Sequence, residues 1–386
     1  MQFSYAAKHS DNPSDYPSGN LGDNPSDYSS TPVVLQLINA RAQRKRIGMG
    51  ILLLLLLICA YVGLTSGSLP IDIEQQLRYF ISGANTVENT AVNTTHWYVL
   101  SEIRLPRVIM TMLIGALLAV SGCAMQGLVR NPLADPGLIG IAGGAAAAAA
   151  LSMTIVPPLL PALESVWVAM WAFGGALLSV WTVLRFSNGP QGVSVAALIL
   201  AGVAINALTG TVIGAISYVA SDDALRQISY WTMGSLAGAS WTLCGLVALA
   251  SFIAITGLMK SRNALNLLAL GEKEAAYMGL NVTRYKQRVL WLVAFSVALA
   301  TALCGIIGFV GLVVPHMCRA IFGVNHQVLI PASALTGALL LIVADTLART
   351  LFVPMEIPIG IVTSAVGAPF FLYLLWQQRR IFSGGV

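Results

Sequence analysis

The feature that most constrains this chain is its series of long apolar runs separated by short polar segments. The first run covers residues 47–66 and contains six consecutive leucines. A bilayer core of about 30 Å is crossed by about 20 helical residues at 1.5 Å each, so this run predicts a membrane-spanning helix. Further spans are predicted at 107–127, 137–156, 165–186, 193–217, 241–259, 288–308, 312–322, 329–350 and 358–376. Ten spans predict an all-α polytopic membrane protein with about ten transmembrane helices.

Composition supports the same class. Apolar residues make up 56% of the chain, charged residues 10%, and mean hydropathy is +0.77, whereas soluble domains carry about 25% charge. These values exclude an ordinary soluble enzyme and a disordered chain. The five cysteines all lie within apolar runs without a CxxC pair, so we interpret them as small buried side chains rather than disulfides or metal ligands.

Lysine and arginine predict the orientation. With ten spans, fifteen of the 21 lysine and arginine residues lie on the same side of the membrane as the N-terminus, and five lie on the other side. This bias places both termini in the cytoplasm. The net charge of +5 is therefore interpreted as membrane topology, with no nucleic-acid partner expected.

The polar parts divide the chain. Residues 1–46 contain DNPSDY twice and end in a basic cluster, which predicts a disordered cytoplasmic tail, either a tolerated extension or a partner-binding segment. Residues 47–380 form the ten-span domain, and 381–386 a C-terminal tail. Segment 67–106 is a long polar outer loop. The inner loop 260–287 has apolar residues at helical spacing, which predicts short amphipathic helices outside the membrane.

Several chemistries are absent from the sequence. No lysine follows a glycine, so there is no Walker A motif, and neither HExxH nor GxSxG occurs. Acids within the spans are scarce, and Asp345 lies one helical turn before Arg349, where the two can pair. We therefore expect a chain that is not an enzyme and takes its energy from a partner. An ion-driven secondary transporter and a non-transporting scaffold are the alternatives.

Three motifs carry a family resemblance: RNPLADPG at 130–137, GFVGLVVPH at 308–316 and EIPIG at 356–360. With their surroundings, from about residue 47 to 380, they closely resemble the permease subunits of ABC importers for iron-siderophores, haem and vitamin B12. The resemblance implies a vitamin-B12-importer-like permease fold in the bacterial inner membrane. It also implies a homodimer, two cytoplasmic ATPase subunits that carry ATP and Mg, and a periplasmic binding protein. No cofactor is expected on this chain.

The resemblance also implies roles for particular residues. The segment LGEKEAAYMGL lies in the inner loop 260–287, called the coupling loop below. It would form the helices that contact the ATPase, through Leu270, Gly271, Glu272, Ala276, Gly279 and Leu280. An interfacial helix lying on lipid headgroups is the alternative. Arg104, Arg107 and Arg349 would meet acidic residues on the binding protein, or would instead anchor helix ends.

The cytoplasmic gate and the pathway are implied in the same way. Asn131, Pro132 and Leu133 are gate candidates, unless their loop is only a rigid turn. Pathway candidates are Asn206, Tyr218, Trp231 and His316. A hydrogen bond between helices is the simpler role for Asn206, and burial the simpler one for His316. RNPLADPGLIG and ISYWTMGSLAGASW look most like haem permeases, so we order the cargoes as haem, siderophore and vitamin B12.

Overall fold

The computed structural model describes residues 31–69, 71–82, 90–156, 158, 164–189 and 192–383. The chain divides into an N-terminal unit that ends at Ile47 and a second unit that begins at Gly48. The contacts below all lie within the second unit.

Within the described residues, fifteen α-helices follow one another. Their bounds are α1 Thr31–Thr65, α2 Ile73–Ser82, α3 Thr90–Tyr98, α4 Leu105–Val129, α5 Ile141–Thr154, α6 Glu164–Ser187, α7 Val195–Val219, α8 Asp222–Thr232, α9 Trp241–Lys260, α10 Arg262–Leu270, α11 Glu272–Tyr277, α12 Val282–Cys304, α13 Val310–Phe322, α14 His326–Thr350 and α15 Ile359–Ser383. A π-helical turn, Val99–Arg104, precedes α4, and a 3-10 turn, Pro136–Ile139, precedes α5. Strands β1 (Asn188–Gly189) and β2 (Gly192–Val193) form a short antiparallel pair.

The membrane-spanning pattern matches the expectation from sequence. Seven helices of the described chain are long and apolar enough to cross a membrane, and three shorter apolar helices lie at 141–154, 310–322 and 359–374. Together they coincide with the ten predicted spans. One boundary differs substantially, since the second span lies in a helical stretch that begins at Thr94.

Two predictions about polar segments need correction. Disorder was expected up to residue 46, but α1 begins at Thr31, because extending an existing helix costs far less than nucleating one. The rest of that tail, residues 1–30, lies outside the described residues, as do 384–386 of the C-terminal tail. The outer segment 67–106 contains α2 and α3 rather than a plain loop.

Local capping explains where many helices begin. A serine or asparagine side chain accepts a hydrogen bond from a backbone N–H in the first turn, which satisfies a donor that the helix itself cannot pair. The residues in this position are Ser194, Ser221, Ser240, Asn281 and Asn325.

Helix α4 is the centre of the bundle and is buried over most of its length. It crosses α14 where Gly115 faces Gly337. A Cβ atom on Gly115 would lie 2.8 Å from the carbonyl carbon of Gly337, so only glycine allows this approach. Gly122 faces Gly311 of α13 in the same way. The bundle is therefore fixed around α4 by small residues, which brings one end of α4 beside α12 and α14 and its other end beside α14.

Candidate functional site

The coupling loop folds into two short helices, as predicted. Gly271 separates α10 from α11 and adopts φ 141°, and Gly279, shortly after the end of α11, adopts φ 86°. Both values lie in the region that favours glycine. These two glycines therefore bracket α11.

The coupling loop presents an apolar surface away from the bundle. Leu270, Tyr277 and Met278 have 63%, 89% and 61% of their surface exposed. Among the residues predicted to contact an ATPase, Leu270, Ala276 and Gly279 are exposed, Glu272 and Leu280 are half-buried, and Gly271 is buried. Exposed apolar side chains on a short helix outside the spans are typical of a protein-binding surface.

Glu272 connects this surface to the bundle. Its Oε1 atom lies 2.6 Å from Lys286 Nζ on α12 and 3.7 Å from Arg130 Nη2 at the end of α4. The side chain of Lys286 is 4% exposed and also donates to the carbonyl oxygen of Val193 at 3.2 Å. The buried ammonium ion thus has one carboxylate partner, and that partner starts α11.

A second set of contacts ties α10 to α14. Asn266 Oδ1 accepts from the backbone N–H of His326 at 2.9 Å, and Asn266 Nδ2 donates to Asn325 Oδ1 at 3.0 Å. Gln327 Nε2 donates to Asn263 Oδ1 at 3.1 Å. A displacement of the coupling loop would therefore be transmitted to α12, α14 and the end of α4.

The loop that joins α4 to α5, residues 130–135, lies beside Glu272 and is called the gate loop below. Asn131 Oδ1 accepts from the backbone N–H of Leu133 at 2.9 Å, which makes a tight turn, while Asn131 and Pro132 are exposed. Asp135 Oδ1 accepts from the N–H of Gly137 at 2.6 Å. Burial raises the pKa of Asp135, and the hydrogen bond from Gly137 partly offsets this. These two hydrogen bonds hold the turn, and the gate role of its residues stays a prediction.

At the other end of the bundle a buried charge cluster joins α4 and α14. Arg107 donates from Nε and Nη2 to Asp345 Oδ1, at 3.1 and 2.9 Å, and its Nη1 lies 2.9 Å from Glu356 Oε2. Arg349 Nε donates to Asp345 Oδ2 at 3.1 Å, which confirms the predicted pair. Asp345 is 1% exposed and the two arginines 8% or less. The carboxylate of Glu356, at 46% exposure, is the part of the cluster that solvent reaches most easily.

Two arginines of this region donate hydrogen bonds to the last carbonyl oxygens of α1. Arg104 Nη1 donates to the carbonyl oxygens of Leu64 and Thr65, at 2.8 and 3.0 Å, and Arg349 Nη2 donates to that of Gly63 at 2.9 Å. These carbonyls have no partner within the helix, and a positive charge there is favourable. The arginines thus anchor helix ends, the alternative weighed above, and their docking to a binding protein stays a prediction.

The pathway candidates lie in different surroundings. Tyr218 is 91% exposed near the end of α7, and Trp231 is half-buried on α8. Asn206 Nδ2 donates to the carbonyl oxygen of Gly137 at 3.4 Å, the expected bond between helices. His316 is half-buried with its ring 6.5 Å from that of Phe370. Of these residues, the structure connects only Asn206 to the segment that follows the gate loop.

Comparison with known proteins decides the family. Residues 53–377 match the FecCD transport family. The chain belongs to the FecCD transport family. It is therefore the permease subunit of a FecCD-type ABC importer, a multi-pass membrane protein of a family whose members lack the ATPase site.

Several relatives of this FecCD permease have names that describe their cargo. It is 44% identical over 352 residues to the hemin transport system permease of Yersinia pestis, covering 90% of this chain and all of that one. It is 39% identical over 288 residues to a cobalamin import permease of Halobacterium salinarum, covering 75% and 76%. A probable iron chelatin permease of Helicobacter pylori is 38% identical over 283 residues, covering 73% and 84%.

A solved structure agrees with the fold. It is described as a metal-chelate type ABC transporter in an inward-facing conformation, and it matches with a TM-score of 0.73 at 29% identity over 86% of this chain and 99% of its own. The permease fold inferred from the three motifs is thus confirmed.

Sequence reasoning missed several residues that organise the two ends of this FecCD permease. Tyr277 and Met278 are 89% and 61% exposed, and two adjacent large apolar residues at a helix end were an available signal. Lys286, Asn266 and Glu356 gave no such signal, because their partners lie far away in the sequence.

Proposed function

We propose that this chain carries haem, or another iron complex, from a periplasmic binding protein to the cytoplasm by alternating access. It would work as a homodimer in the bacterial inner membrane, with both termini cytoplasmic and two ATPase subunits bound to the coupling loops. ATP and Mg would bind to those subunits, and this chain would hold no cofactor of its own.

The observation that carries the proposal is the ion pair between Glu272 and Lys286. It joins the exposed surface of α11 to a buried residue of a membrane span, across 2.6 Å. An ATPase that pulled on Leu270, Tyr277 and Met278 would therefore move α12 and the gate loop together. An ion-driven carrier or a scaffold would not require this connection.

Haem is the first cargo because the relative with 44% identity over its whole length is a hemin permease. Ferric siderophores and vitamin B12 follow, in agreement with the names of the other relatives. In this family the binding protein would determine most of the cargo specificity. The cargo therefore has to be assigned with the complete importer and not with this chain alone.

The decisive experiment reconstitutes the chain with its ATPase and binding protein in liposomes. Uptake of haem, a ferric siderophore and cobalamin is compared with and without ATP. ATP-dependent uptake of haem supports the proposal. ATP-dependent uptake of another cargo would replace haem as the assigned cargo and leave the importer function unchanged. Uptake driven by an imposed proton gradient without ATP would support a secondary transporter, and a lack of uptake of all three would overturn the proposal.

The coupling step has its own variants. Glu272→Gln removes the carboxylate that pairs with Lys286, and Glu274→Gln removes an exposed carboxylate from the same helix, so the second is a matched control. We expect the first to lower uptake per ATP hydrolysed at least severalfold, because a partly buried pair is lost, and the second to leave it near wild type. Equal uptake in both variants would exclude Glu272 from coupling.

A further inference from the structure

The first turns of α12 carry a groove that shares no residue with the two sites above. It has a volume of about 560 Å3 and is lined by Arg284, Gln287, Arg288, Trp291 and Leu292. Arg284 and Arg288 are exposed, and Trp291 has 41% of its surface exposed. The lining thus combines two guanidinium groups, an amide and an indole along one helix.

Helix geometry places these side chains on the face opposite Lys286. A residue advances by about 100° around an α-helix, so positions 284, 287, 288 and 291 share one side, and position 286 faces the bundle. The structure agrees, because Lys286 is 3% exposed and bound to Glu272. The groove is therefore independent of the coupling contact although both begin α12.

The chemistry of this face changes with depth along the span. Trp291 lies about 10 Å further along the helix axis than Arg284, and Phe295 about 6 Å beyond Trp291. Phe295 is 37% exposed and meets Phe173 of α6 edge-on, with ring centres 5.7 Å apart. Charge at the membrane boundary, then an indole, then apolar rings follow the profile of a phospholipid from headgroup to acyl chain.

The groove has a positive charge that the protein does not balance. Within the described ranges, no ion pair involves Arg284, Arg288, Lys260 or Arg262. Lys260 and Arg262 flank Ser261, whose carbonyl oxygen accepts a hydrogen bond from Tyr285 Oη at 2.6 Å. The end of α9 and the start of α10 therefore place two more exposed cations beside the first turns of α12. Such a cluster attracts an anion, and guanidinium groups bind phosphate oxygens through two parallel hydrogen bonds.

We propose that this groove is a binding site for an anionic phospholipid, with the phosphate held by Arg284 and Arg288 and an acyl chain lying along Trp291 and Phe295. Basic pockets at the membrane boundary are suited to acidic headgroups. A soluble partner such as an ATPase could reach the arginines but not Trp291 and Phe295, which lie within the span. The site depends only on membrane insertion, so it can be tested without cargo, ATPase or binding protein.

The first test measures lipid retention. The full chain is purified in neutral detergent, mixed with equal amounts of phosphatidylglycerol and phosphatidylcholine, and examined by native mass spectrometry. Wild type should retain phosphatidylglycerol preferentially, and each arginine replaced by glutamine should lower this preference about fivefold. Arg288→Gln is compared with Arg185→Gln, which removes an exposed arginine from the end of α6 and should change nothing.

Three results would overturn the site. One is an Arg284→Gln/Arg288→Gln variant that retains phosphatidylglycerol as well as wild type. Another is loss of ATPase co-purification in that variant with lipid retention unchanged, which would assign the face to the ATPase. A wild-type chain without any preference between the two lipids would equally exclude the proposal.

A second measurement needs no arginine variant. The chain is placed in two kinds of phosphatidylcholine vesicle. One contains phosphatidylglycerol with a brominated acyl chain, the other contains phosphatidylcholine with a brominated acyl chain, and tryptophan fluorescence is recorded in both. The signal of Trp291 is obtained by subtracting that of Trp291→Phe. Stronger quenching by the brominated phosphatidylglycerol supports the site, and equal quenching by the two lipids contradicts it.

Discussion

Asp345 Oδ1 lies 2.9 Å from Arg107 Nη2, although 238 residues separate them in the sequence. The same carboxylate pairs with Arg349 through its other oxygen. One buried acid therefore holds two buried arginines on α4 and α14 near the end of α1. This arrangement determines both the stability of that end of the bundle and what a docking partner could reach there.

We expect Asp345→Asn to destabilise the chain by about 3–5 kcal/mol, because it leaves two buried guanidinium groups without their shared counter-ion. Thermal unfolding of the purified chain in detergent measures the effect. Glu356→Gln is the control, since this carboxylate is 46% exposed and its loss should cost about 1 kcal/mol or less. Equal melting temperatures for the two variants would show that burial does not set the strength of this cluster.

Glu356 also permits a test of the predicted docking of Arg107. The binding protein's acidic residues would compete with Glu356 for this arginine, so Glu356→Gln should tighten binding of that protein severalfold and increase its salt dependence. Binding to the chain in nanodiscs is measured at low and high salt. Asp223→Asn removes an exposed acid from α8 and should leave affinity unchanged. Weaker or unaltered binding in Glu356→Gln would argue against docking through Arg107.

The apolar surface of the coupling loop predicts an effect on ATPase assembly. Tyr277→Ala should reduce ATPase affinity about tenfold to a hundredfold, since exposed aromatic residues are frequent binding hot spots. Co-purification at several ATPase concentrations provides the measurement. Phe252→Ala is matched in kind, because Phe252 is 70% exposed on the membrane-spanning helix α9. If both variants bound the ATPase equally well, the surface around Tyr277 would not be its docking site.

The gate loop gives a pH-dependent prediction. Since burial raises the pKa of Asp135 in the folded chain, its ionisation opposes folding, and this cost builds up as pH rises from the ordinary carboxyl pKa to the raised one and is complete above it. Asp135→Asn keeps an oxygen that can accept from Gly137 and removes the charge. We expect the variant to gain melting temperature over wild type at pH 7.5 and to gain less at pH 4.5. A gain that does not depend on pH would exclude ionisation of Asp135 as its cause.

Much of this protein follows from the order of its residues. The runs of leucine, alanine and valine determine the spans, since a helix that satisfies its own backbone is the way such a run crosses lipid. Gly271 and Gly279 determine where α11 begins and ends. Motifs such as RNPLADPG and EIPIG determine the family, because they keep their order and spacing.

The contacts that give those elements a function were decided by tertiary structure. Asp345 and Arg349 could be paired from their spacing on one helix, but Arg107 and Glu356 joined them only when α4 packed on α14. Likewise, the sequence places Glu272 on the surface of a short helix, and only the packing of α12 brings Lys286 next to it. The physical reason is that a local pattern fixes which way a side chain points along its own helix, whereas the glycine contacts around α4 fix which distant charge it meets.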